Sequence, residues 1–204
     1  MGNTAKEAIK EKSMIIQKDM LAKLFQELGT AKETGKKVVY TFVPGNLTEL
    51  ILSFDMLPVY PEINALQSGM RMNGNIGPTG EKLPPPDLLL LSYTGCFTFM
   101  KWFENLERLY PGVPVAMLHT PYQEDGQITP DQVAYMVKQL KEEVIPKMEK
   151  VSGKKFDQGR LSGMMINSAK AEDLLVKILE TAKNKPSPID AYFAGVYYIG
   201  PIFT

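Results

Sequence analysis

Cysteine and histidine are almost missing from this chain: its 204 residues hold one of each, Cys96 and His119. A lone thiol cannot close an intramolecular disulfide or complete a structural zinc site, which excludes a secreted disulfide scaffold. No run of about 18 apolar residues occurs, so no membrane-spanning helix is expected. The opening stretch MGNTAKEAIKEKSMIIQKDML is charged, with helical spacing and without a signal peptide's apolar core, so the cytoplasm is the expected compartment. Lys6 stands where a myristoylation signal after Gly2 needs Ser or Thr. Neither charge sign is in excess, with Lys+Arg and Asp+Glu at 23 each, so no footprint for nucleic acid or an anionic membrane is present. Glycine-rich phosphate loops are missing too; VPGN carries a single glycine.

What is present is ordinary globular usage, 44% apolar and 23% charged, with a regular alternation of patterns. Residues 5–28 carry apolar side chains at helical spacing and end near Gly29 and Gly35. KKVVYTFV then reads as a strand, PGNLTELILSFDM as a turn and short helix, and LPVYPE as a second strand. DLLLLSY is an unbroken apolar run of strand length, the pattern of a strand buried on both faces and so the expected central one. Phe99, Trp102, Phe103, Leu106 and Tyr110 follow at helical spacing, with Phe99, Trp102 and Phe103 read as core, before Pro111-Gly112 and the strand VPVAMLH.

Thr129, Pro130, Asp131 and Gln132 form a complete helix-start signature, with Gln132 closing a capping box. Val133, Val137, Leu140, Val144 and Met148 predict a buried stripe, with a kink near Pro146. A second amphipathic helix is expected from about Asp157 to Lys183. The expected fold is a three-layer α/β domain with a mostly parallel, flavodoxin/Rossmann-like sheet of about four strands and flanking helices. Residues 1–36 read as a helical lead-in and 37–204 as the α/β domain. One segment breaks the alternation: Gln67 to Pro86 joins two presumed parallel strands, yet its glycines and prolines deny the helix such a crossover normally carries.

Cys96 follows the expected central strand and opens a helix. In open α/β sheets ligands sit at carboxyl strand ends, and a helix amino terminus favours the thiolate, so a metal ligand or nucleophile fits there. A buried thiol packed as a small apolar group fits as well. His119 ends its strand at the same edge, either facing the crevice or tied to backbone. Glu49, with Asn46 three residues before it, reads as the N3 acid of a capped helix, and equally as an acid aimed at a ligand for proton transfer.

Taken together, NLTELILSFDMLPVYPEINALQSG, PPPDLLLLSYTGCFTFMKWFENLERLYPGVPVAMLHTPYQEDG and YYIGPIFT resemble the benzoyl-CoA reductase and 2-hydroxyacyl-CoA dehydratase family. LLLLSYTGCFTFMKWFE is most similar to the B- or O-type subunits of the ATP-dependent benzoyl-CoA reductases. The resemblance implies an oxidoreductase subunit that pairs with a homologous subunit, binds an acyl-CoA substrate and shares a [4Fe-4S] cluster. Ferredoxin and ATP-dependent activator subunits would supply its electrons, in anaerobic aromatic degradation. Cys96, in YTGC, matches one cluster ligand, and Glu49 matches the acid beside the acyl-thioester site.

Two departures accompany the match. The family's further cluster cysteine in the crossover is absent from MRMNGNIGPTGEK, and the second α/β domain that relatives carry is expected to be absent here. A four-iron cluster takes about four ligands, mostly thiolates, and this chain offers one. The alternatives are a 2-hydroxyacyl-CoA dehydratase subunit and a non-catalytic α/β module of the same family.

Overall fold

The computed structural model describes residues 12–42, 47–61, 83–93, 95, 97–122 and 126–190. Four strands, β1 (Val38–Tyr40), β2 (Leu57–Val59), β3 (Leu88–Tyr93) and β4 (Val115–His119), form one all-parallel sheet in the order β2-β1-β3-β4. That is the order in which flavodoxin-like sheets begin, with the direction of winding reversing between β1 and β3. The three-layer α/β expectation holds.

The run of leucines explains the sheet's centre. Leu89 and Leu91 enter one apolar layer with Val38, Tyr40 and Val59, while Leu88 and Leu90 enter the opposite layer with Val39, Ala116 and Leu118. Side chains alternate across a strand, so a strand covered on both faces needs an apolar residue at every position. The first layer is closed by Phe25 and Leu28 of α1 (Lys12–Gly29), Ala31 of α2 (Ala31–Thr34), and Phe103 and Leu106 of α4 (Phe97–Leu109). The second is closed by Leu50 and Ile51 of α3 (Thr48–Ser53), together with Val144 and Met148 from a long helix beyond β4.

That long helix comprises α5 (Pro130–Gln139), one π turn (Leu140–Val144) and α6 (Ile145–Ser152). The capping box forms: Thr129 N–H donates to Gln132 Oε1 at 2.9 Å, and Gln132 N–H donates to Thr129 Oγ1 at 3.3 Å. Thr129→Ala is expected to lower stability by about 1 kcal/mol, read as a lower denaturant midpoint at unchanged slope. The π turn lies just before Pro146, whose ring cannot donate to the carbonyl four residues back and crowds it. Ile145 N–H instead donates to the Leu140 carbonyl five residues back.

The expected buried stripe is only half formed. Val144 and Met148 are fully buried, but Val133 is 48% exposed and Val137 39%. The π turn and α6, joined by Met136 of α5, are the parts packed on the second layer. Trp102 departs likewise from the expected core. It is 45% exposed and leans on Phe42 and Phe99, whereas Phe103 on the same helix is buried. The last helix, α7 (Gln158–Glu180), is N-capped by Asp157 Oδ1, which accepts from Gly159 N–H at 2.8 Å and Arg160 N–H at 3.1 Å. None of its described residues is fully buried. No helix among the described residues is long and apolar enough to cross a membrane.

Candidate functional site

Two clefts lie among the functional candidates. The first is an open, mainly apolar cleft of about 840 Å³ between α3, the π turn with α6, and the start of α7. Leu50, Leu140, Ile145, Phe156 and Leu161 supply apolar wall, and Glu49, Lys141 and Glu149 are its charged residues.

Glu49 stands one position earlier in its helix than expected. Leu47 occupies the N-cap without a side-chain cap bond, so Glu49 is N2 rather than N3. Asn46, the expected cap, lies outside the described residues. Among the described residues no hydrogen bond or ion pair engages the Glu49 carboxylate, which lines the cleft half-buried at the positive end of a short helix.

Glu149, on the same cleft, is held on both oxygens. Oε1 accepts from Phe156 N–H at 3.0 Å and Oε2 from Lys155 Nζ at 2.9 Å. Those contacts, the Phe156 amide first and then the lysine, hold its carboxyl below the usual carboxylate range. Glu149 is therefore occupied in shaping the turn from α6 to α7, whereas Glu49 lines the same cleft with no bond to a described residue.

A further ion pair ties that turn to the loop between α3 and β2. Asp55 Oδ2 accepts from Lys154 Nζ at 2.7 Å, and this bond, followed by the lysine's charge, lowers the Asp55 pKa. A depressed carboxyl contributes stability above its unfolded pKa and loses it as pH falls through the folded value. Asp55→Asn tests this cleanly, because Asp55 has φ of 59° and asparagine tolerates that left-handed backbone. Both partners are half exposed, so the expected loss is below about 1 kcal/mol near neutral pH. It should vanish under acid conditions where wild-type Asp55 is protonated; equal losses at both pH values would remove the ionic explanation. Denaturant unfolding at the two pH values measures it.

The second cleft, about 590 Å³, opens at the carboxyl ends of β3 and β4, lined by Tyr93, Gly95, Phe97, His119, Thr120, Pro121 and Tyr122. The His119 side chain lines this cleft, and among the described residues no hydrogen bond ties its ring to backbone; it is the main chain of His119 that is held. Its exposed ring stacks on Tyr93, with centroids 5.5 Å apart and planes 22° apart, and receives the edge of Tyr135 at 6.2 Å. Its main chain is tied down by one carboxamide: His119 N–H donates to Gln139 Oε1 and Gln139 Nε2 donates to the His119 carbonyl, both at 2.9 Å. The sequence carried no signal for this clamp, because its partners are 20 residues apart. Gly95 has φ of 97°, a backbone that disfavours any residue with a Cβ.

Glu49 and His119 line different clefts. Cys96 lies outside the described residues, as do crossover residues 62–82 and tail residues 191–204. Among the described residues no group of three His, Cys, Asp or Glu side chains could hold a metal ion. With one cysteine in the whole sequence, the chain's own residues do not fit a four-iron cluster unaided.

Residues 48–203 match the family described as 2-hydroxyglutaryl-CoA dehydratase, D-component. The B subunit of benzoyl-CoA reductase from Thauera aromatica is 54% identical across 98% of this chain and 53% of its own length. That alignment runs to 231 positions against the chain's 204 residues, so the relative carries residues within the matched span that this chain lacks. The (R)-2-hydroxyisocaproyl-CoA dehydratase alpha subunit of Clostridioides difficile is 26% identical across 90% of the chain and 51% of its own length. The (R)-2-hydroxyglutaryl-CoA dehydratase alpha subunit of Acidaminococcus fermentans is 28% identical across 54% of the chain. The chain thus spans about half the length of the first two relatives.

Proposed function

We propose a function from one premise: the chain belongs to the 2-hydroxyglutaryl-CoA dehydratase D-component family. Within that family it is part of a benzoyl-CoA reductase subunit of the B type. In assembly with a paired homologous subunit it takes part in the iron-sulfur-dependent, two-electron reduction of the aromatic ring of benzoyl-CoA, in the cytoplasm during anaerobic aromatic degradation. The carrying observation is the 54% identity to a benzoyl-CoA reductase subunit across nearly the whole chain, against 26% to a 2-hydroxyacyl-CoA dehydratase subunit.

Residues 37–204 are the α/β unit of this reading and residues 1–36 its lead-in. Glu49 moves a proton or positions the thioester; its support is a carboxylate that lines a mainly apolar cleft and has no partner among the described residues. Cys96 contributes one ligand to a [4Fe-4S] cluster whose other ligands come from outside this chain. Reducing equivalents arrive from ferredoxin through ATP-dependent activator subunits.

The test is turnover by the chain assembled anaerobically with a paired subunit and activator. ATP-dependent loss of benzoyl-CoA supports the reading. Dehydration of a 2-hydroxyacyl-CoA without ring reduction would transfer the chain to the dehydratases. Turnover of neither substrate would leave a non-catalytic module.

A further inference from the structure

The geometry points to the cleft at the ends of β3 and β4 as a seat for the planar aromatic ring of an aroyl thioester, an assignment that rests on the proposed reductase reading and locates its selectivity. Four of the seven described lining residues, Tyr93, Phe97, His119 and Tyr122, present flat rings. Two of them form a fixed wall, since Tyr93 and His119 are already stacked and the His119 main chain is clamped at both ends by Gln139. The other two stand open at the lip, with Phe97 75% exposed and Tyr122 83% exposed.

Large aromatic side chains left this open beside a preformed stack are suited to receiving another ring, by offset or edge contact. Among the described lining residues only His119 carries an ionisable group of ordinary acidic or basic strength, which suits an uncharged ring better than the phosphates of coenzyme A. The Glu49 cleft differs in kind: its described wall is mostly aliphatic, with Phe156 the one aromatic ring among the described lining residues. The two clefts are neighbours, because Gln139 holds His119 of one while the adjacent Leu140 lines the other.

The experiment measures equilibrium binding to the assembled complex, without activator, of benzoyl-CoA, of cyclohexanecarbonyl-CoA and of coenzyme A itself. The saturated ring matches the benzoyl group in size but has no π face. Phe97→Leu and Tyr122→Leu keep apolar bulk and lie at exposed positions, and thermal melting verifies that they fold. The wild type should prefer the benzoyl over the saturated thioester by about three- to tenfold. Each variant should narrow that ratio while leaving cyclohexanecarbonyl-CoA binding unchanged.

An undiminished ratio in both variants overturns the ring seat while leaving the reductase reading standing. Equal weakening of all three ligands, coenzyme A included, also overturns it and assigns the cleft to the adenine. If the wild-type complex binds no CoA thioester, the reductase reading itself fails and the ring seat with it.

Discussion

Changing Cys96 to serine is expected to strip most of the iron from the assembled complex while leaving the fold of the chain in place. The expectation follows from ligand chemistry and from the composition of the core. A [4Fe-4S] cluster is held by soft thiolates, and a serine hydroxyl is a harder, weaker ligand with a much higher pKa. Since this chain contributes a single cysteine, no second thiol can substitute from within it. The described core of both apolar layers rests on residues such as the four leucines Leu88 to Leu91, all at most 1% exposed. Iron and acid-labile sulfide per complex, with the four-iron spectroscopic signature, measure the first effect; the thermal midpoint measures the second. Full iron retention would remove Cys96 from the ligand set. A lowered midpoint with unchanged iron would assign the thiol to packing.

The parts of this protein legible in its sequence are those fixed by short-range rules. A strand buried on both faces must be apolar at every position, and DLLLLSY could hardly serve elsewhere in a parallel sheet. Thr129 to Gln132 specify a helix start through bonds spanning three residues, and those bonds are formed. Helical periodicity located α4 and α5 but misjudged which side chains they bury. It marks the apolar face of a helix without saying where along its length the sheet lies beneath it. Hence Val133, Val137 and Trp102 are apolar, correctly phased and exposed. The Gln139 clamp on His119 and the Lys154–Asp55 pair join positions 20 and 99 residues apart, beyond any local pattern. For Glu49 the sequence offered a capping acid or a ligand-facing acid. The structure separates these: the N-cap is Leu47, the carboxylate has no partner among the described residues, and its side chain lines a cleft.

That separation makes Glu49→Gln the decisive substitution for the chemistry. Glutamine keeps the side chain's length and removes its ability to take up or release a proton. With no described partner to lose, stability should stay within about 0.5 kcal/mol of wild type. If the carboxylate transfers a proton, kcat for benzoyl-CoA reduction in the assembled complex should fall by about 10²- to 10⁴-fold with KM little changed. If it only positions the thioester by accepting a hydrogen bond, glutamine's carbonyl oxygen replaces it in part. The loss should then be smaller and shared with a rise in KM. Glu49→Asp sharpens the contrast, because it keeps the acid but withdraws it by one methylene. A proton-transfer role predicts that aspartate outperforms glutamine in kcat; a positioning role, which depends on reach, predicts the reverse. Were both variants to match the wild type, the free carboxylate on the cleft wall would be a surface acid without a part in turnover. The ligand-facing acid of this reading would then have to be sought beyond α3.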